Sequence, residues 1–180
     1  MKSRLIVLLG SFAFFFGTVA LAGGEVPPPP YANGPYHGLY FEMNFGYGKV
    51  HQTLSNDLYT HNKGFTWNLD AGFQFTRNFA FEAGYISLPK VEGRLGYHAD
   101  AWYMAFKGIY PVTSNFSAFG KLGFADSSRN GPLLLLGGIG LAYNFSPQIA
   151  ITAQLLNIFG STRLPNTFMG TAGISYKLIL

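Results

Sequence analysis

Cysteine is absent from the 180-residue chain, which excludes a disulfide framework and any thiolate metal site and leaves stability to hydrogen bonds and side-chain contacts. Charge is scarce as well. Only 11% of residues are Asp, Glu, Lys or Arg, less than half the usual share of about 25%, so a charged surface is not what keeps this protein where it works. The formal charge of +4 includes Lys2 and Arg4, and the remainder is nearly balanced, so there is no basic footprint for nucleic acid. Beyond the N-terminal region no apolar run reaches the roughly 20 residues of a spanning helix. If this part of the chain enters a membrane, it must do so as a closed sheet, because open strand edges cannot be left in lipid.

In excess are rings and glycine. Aromatic residues make up 17% of the chain and glycines number 23, a pairing expected where large rings cover one surface of each strand and small residues crowd the other. The length suits one domain plus an export signal. Lys2 and Arg4, the apolar run from Leu5 to about Val19 and the small residues Ala20-Leu21-Ala22 follow the order of a cleaved secretory signal over residues 1–22. An uncleaved anchor is the alternative, since the run approaches the length of a spanning helix. Residues 23–38, with Pro27 to Pro30 favouring polyproline II, read as a Pro/Gly-rich periplasmic leader.

The period then becomes two. Leu39, Phe41, Met43, Phe45 and Tyr47 alternate with Tyr40, Glu42, Asn44, Gly46 and Gly48; Phe65, Trp67, Leu69, Ala71, Phe73 and Phe75 alternate with Thr66, Asn68, Asp70, Gly72, Gln74 and Thr76. A tight turn at Arg77-Asn78 leads into strand three, Phe79 to about Ser87. Strand four is expected near Tyr97 to Tyr110, strand five from Phe116 to about Ala125, strand six from Leu133 to Phe145, strand seven from Ile149 to Ile158 and strand eight from Phe168 to Leu180. Short turns near Asn78, Ser114 and Pro147 alternate with polar loops at 49–64, 88–96, 126–132 and 159–167, matching the short periplasmic turns and longer external loops of outer-membrane barrels. Residues 39–180 are therefore expected to form an all-β, eight-stranded antiparallel up-and-down transmembrane β-barrel in the Gram-negative outer membrane.

Alternation alone leaves open a soluble, lipocalin-like barrel with its apolar face inside. Volume decides between them. An eight-stranded barrel has room only for modest side chains within, whereas the apolar set holds most of the Phe, Tyr and Trp; the bulky face must point outward and the hydrophilic face line the axis. On inward parity lie Glu42, Asp70, Glu82, Lys107, Lys121 and Lys177. Unpaired charge there is costly, so pairing is expected. Adjacency of strands three and four, and of eight and one, predicts Glu82 with Lys107 and Glu42 with Lys177, a polar plug near the periplasmic end.

The runs Ala71 to Tyr85, Lys107-Gly108-Ile109-Tyr110-Pro111-Val112, Phe119 to Gly123, Gly140 to Pro147 and Gly173 to Leu178 resemble the transmembrane domain of outer membrane protein A and the wider family of small outer-membrane barrels, over nearly all of the chain beyond the signal. The resemblance implies that Glu82 and Lys107 belong to an interior salt-bridge cluster, with Lys121 a further cation. Ala142 and Thr152 stand where the family can carry another charged pair. The terminal Leu178-Ile179-Leu180 replaces the aromatic end that the barrel-assembly machinery often reads. No wall-binding domain is expected after strand eight.

Some barrels of this size are lipid A acylases or deacylases, which makes His51, His61, His98, Asp100, Ser127 and Ser128 the candidate catalytic groups. None forms a recognised nucleophile motif, and no enzyme is expected. The histidines at 37, 51, 61 and 98 share no ligand spacing, so no metal or other cofactor is expected. The partners expected are outer-membrane lipid and lipopolysaccharide, with the assembly machinery during insertion, for a monomer. Lys63, Lys90, Arg94, Arg129 and Arg163 in the loops are suited to meet lipopolysaccharide phosphates. On that reading, neutralising Arg94, Arg129 and Arg163 together lowers lipopolysaccharide association; unchanged association makes them ordinary solvated charges. The expected role is a non-enzymatic barrel serving envelope integrity and adhesion, with a narrow channel and a lipid A enzyme as alternatives.

Overall fold

The structure, a computed structural model, describes residues 37–53, 59–89, 100–127, 133–160 and 166–178. The signal expected over 1–22 and nearly all of the leader at 23–38 lie outside them. The strands are β1 (Gly38–Thr53), β2 (Tyr59–Gln74), β3 (Phe79–Ser87), β4 (Asp100–Pro111), β5 (Phe116–Ser127), β6 (Leu134–Asn144), β7 (Ile149–Ile158) and β8 (Asn166–Lys177). Each pairs antiparallel with its sequence neighbour, and β8 pairs with β1 from Tyr40↔Lys177 to His51↔Asn166, closing the barrel. Closure satisfies the backbone edges that lipid cannot.

The expected loop at 49–64 is largely strand. β1 runs on to Thr53 and β2 already begins at Tyr59, with Lys49 opposite Lys63 and His51 opposite His61 on the ladder. The ladder needs only backbone groups, so it continues past the apolar belt where the hydrophobic alternation that marks a strand has ended. For the same reason β5 reaches Ser127 and β8 starts at Asn166.

The three short turns are built alike. Thr76, Thr113 and Ser146 each accept a hydrogen bond on the side-chain oxygen from the amide three residues on, Phe79 (3.0 Å), Phe116 (3.1 Å) and Ile149 (3.0 Å). Each also donates its own amide to the carbonyl of that same residue. A hydroxyl thus completes each turn, beside the Asn and Pro residues that mark these turns in the sequence.

The outside of the cylinder is apolar: Phe106 is 64% exposed and Leu69 50%, while Lys121 is 1% exposed. Each large apolar side chain left in water forgoes about 1.5–3 kcal/mol, so this continuous surface is made for hydrocarbon. Rings pair along it, with Trp67, Tyr85 and Trp102 in a row across β2, β3 and β4 at centroid distances of 5.5 and 5.0 Å, an arrangement that suits an aromatic girdle.

The interior departs from a uniformly hydrophilic axis. Its charged part occupies the half nearer the short turns. Towards the long connections the inward positions carry Ile86, Leu88, Leu134, Leu136, Leu156, Ile158 and Met169, which pack with Tyr103 and several alanines into one buried cluster. Aliphatic side chains of this size fit a small barrel where aromatic rings in number would not.

Candidate functional site

The buried inward-facing charges are assembled by five strands, β1 to β5. Glu82 of β3 is the hub. Its Oε2 accepts from the Tyr40 hydroxyl at 2.9 Å and lies 3.6 Å from Lys107 Nζ. Its Oε1 accepts from the Tyr103 hydroxyl at 3.2 Å and lies 2.6 Å from Lys121 Nζ. Glu42 of β1 accepts from Lys107 at 3.0 Å and from the Asn44 amide at 2.9 Å. Asp70 of β2 accepts from Asn68 through Oδ2, and that oxygen is 3.9 Å from Lys121. All five charged groups are buried. Lys107 also lies 4.3 Å from the centre of the Phe119 ring, a cation–π contact in a site shielded from water.

Room for the two tyrosines comes from glycine. A Cβ on Gly72 would run into the Tyr40 ring, and one on Gly84 would meet both Asp70 Oδ1 and the Tyr103 ring. Tyr40 and Tyr103 are inward residues that the rule of rings outside leaves unnoticed. The signal was present in the strand parity, since Tyr40 shares a face with Glu42, and Tyr103 with Lys107.

The expected pairing of Glu42 with Lys177 is corrected. Lys177 donates to Gln74 Oε1 at 2.9 Å, and the Glu42 carboxylate is taken by Lys107. On the β1–β8 ladder Lys177 stands opposite Tyr40, nearer the mouth than Glu42, so its long side chain reaches towards water. Glu42 instead reaches across the narrow interior to β4, a contact that reasoning restricted to neighbouring strands cannot anticipate.

A cavity of about 220 Å³ opens at the short-turn end, lined among others by Gln74, Arg77, Ser117, Asn144 and Lys177 and floored by Tyr40, Lys107, Phe119 and Thr152. Water entering there meets Lys107, whose side chain is 8% exposed, and stops short of Lys121, whose side chain is fully buried.

Of the residues expected at the rim, Lys63 is exposed on β2, and Lys90, Arg94, Arg129 and Arg163 lie outside the described residues. So do His98 and Ser128. His51 and His61 are backbone partners, Asp100 opens β4 opposite Ser87, and Ser127 ends β5 opposite Ala101.

A closed eight-stranded barrel with an apolar exterior and an ion-paired interior is an integral outer-membrane protein. The chain belongs to the OmpA-like transmembrane domain family, whose pattern matches residues 36–179. An uncharacterized protein of Coxiella burnetii is 25% identical over an alignment of 247 residues spanning 98% of this chain and 99% of that one. Among solved structures, the N-terminal barrel of Pseudomonas aeruginosa OprF superposes with a TM-score of 0.55 at 14% identity, covering 79% of this chain and 99% of that one. Ail, the attachment invasion locus protein of Yersinia pestis, solved with the heparin analogue sucrose octasulfate, gives 0.54 at 13% identity, covering 78% and 99%. Neisserial surface protein A gives 0.52 at 18%, covering 78% and 97%. At these identities the likeness is one of fold.

Proposed function

We propose that the protein is a sealed, non-enzymatic barrel, exported with a cleaved signal, that reinforces the outer membrane and holds its longer connections at the cell surface. The observation that carries this reading is the two-part filling of the interior. An ion entering from the short-turn mouth meets a lysine bound to two carboxylates, then the Glu82 hub, then a layer built mainly of Leu, Ile and Met with no charged group among its described residues. Moving a bare ion into such a layer costs tens of kcal/mol.

Catalysis is disfavoured by the same arrangement. Glu42, Glu82, Lys107 and Lys121 are occupied by one another, within the wall and away from any lipid-facing surface. Purified protein in planar bilayers is therefore expected to give no steady conductance steps at moderate voltage. Regular single-channel openings would establish the narrow-channel alternative instead.

A further inference from the structure

Among the described residues the buried charges do not balance. Three carboxylates, Glu42, Asp70 and Glu82, share two ammonium groups, Lys107 and Lys121. Lys177 stands apart at the mouth, bonded to Gln74 beside the water-accessible cavity. A single uncompensated charge in a sealed interior is far more costly than a neutral group. One of the three sites must therefore take up a positive charge.

The hydrogen bonds say which. Glu82 is met by two tyrosine hydroxyls and two lysines, and Glu42 by a lysine and an amide. Asp70 is the poorly served one. Its Oδ2 has the Asn68 amide and, at 3.9 Å, the ammonium that already stands 2.6 Å from Glu82. Its Oδ1 accepts no assigned hydrogen bond among the described residues. The Tyr103 hydroxyl lies beside both carboxylates, 3.2 Å from Glu82 Oε1, and its single proton can serve only one of them at a time.

A second, independent orphan lies beside it. Asn68, 0% exposed, already bonds Asp70 through its amide nitrogen, and its own Oδ1 has no partner among the described residues. An ionised aspartate is acceptor-only and can do nothing for a carbonyl oxygen; a protonated one is a donor as well. One proton on Asp70 Oδ1 removes the excess charge and supplies the donor that Asn68 Oδ1 lacks. Acid and amide would then exchange two hydrogen bonds.

We propose that Asp70 is a proton-binding site: in the folded barrel it is a neutral carboxylic acid, paired with Asn68, having taken its proton from the aqueous phase as the interior closed. The titratable groups around this site are Tyr40 and Glu42 from β1, Glu82 from β3, Tyr103 from β4 and Lys121 from β5, with Lys107 of β4 held by Glu42 and Glu82. None of them offers Asp70 a full counter-charge of its own. The site sits between the ion-paired region and the aliphatic layer, so the charge ladder ends in a neutral pair before the dry part of the barrel begins.

Infrared spectroscopy of the full chain, folded in lipid vesicles at neutral pH, tests this directly. The wild type should show the carbonyl stretch of one protonated carboxylic acid; it should shift when aspartate alone carries ¹³C in its carboxyl group and vanish in Asp70→Asn. The Asp70→Asn barrel should also show no loss in its urea unfolding midpoint, because the substitution keeps the donor and acceptor pattern of the acid. Absence of the band, its persistence in Asp70→Asn, or a midpoint loss in Asp70→Asn as large as that of Lys121→Met would each overturn the proposal. So would a missing band with stability that rises when sodium replaces N-methylglucamine, which would assign the site to a bound cation. The labelled wild-type spectrum decides even if the variant fails to fold.

Discussion

Lys121→Met is expected to destabilise the barrel by about 3–5 kcal/mol, the range for breaking a buried ion pair from one side. Methionine has similar length, so the effect is electrostatic rather than a matter of volume. The ammonium removed is fully buried, 2.6 Å from Glu82 and 3.9 Å from Asp70. Its loss leaves two ionised carboxylates, Glu42 and Glu82, with one lysine beside the neutral Asp70, in a place water does not reach. The measurement is the urea midpoint of folding into lipid vesicles, followed by tryptophan fluorescence. Adding Glu82→Gln to Lys121→Met should restore part of the loss, since Glu42 and Lys107 then remain as a matched pair; additive losses would show that the two residues do not act as a unit. Lys177→Met, half-exposed at the mouth beside the Gln74 amide, should change stability by less than about 1 kcal/mol, as expected of a solvent-screened charge. A Lys177 effect equal to that of Lys121 would contradict the corrected pairing.

Leu69→Arg should cost about 2–4 kcal/mol, the depth-dependent cost of a cation near the middle of the lipid-facing belt. Leu69 lies in the middle of the outward series on β2 and is 50% exposed, next to Asp70, which is 1% exposed. The same replacement at Phe145, by the short turn between β6 and β7, should cost far less, because the guanidinium there reaches water and head groups. Equal costs at both positions, or none, would mean that the apolar face does not meet hydrocarbon. The comparison tests membrane orientation independently of the interior network.

Much of this architecture is readable along the chain. The alternation from Phe65 to Thr76 states a strand, its face and the parity of Asp70 without reference to any other residue, because side chains in a strand point to opposite sides in turn. The bounds of β7 and the start of β3 follow from the same signal, sharpened by the turn residues before them. Where the signal ends, so does its reach: the ladder from Lys49 to Thr53 carries no hydrophobic alternation, and hydrogen bonding alone extends it.

Composition and periodicity by themselves determined that this chain makes eight strands, that their bulky face turns outward and that six charges share the inner parity. Those are local or summed properties, and each residue carries its part of them. Only the closed barrel decided that Glu42 meets Lys107 rather than Lys177, that Tyr40 and Tyr103 fold into spaces left by Gly72 and Gly84, and that an aliphatic layer caps the ion pairs. These depend on the register at which β8 meets β1 and on contacts across the axis. Such distances are set when all the strands are in place, and no single segment contains them.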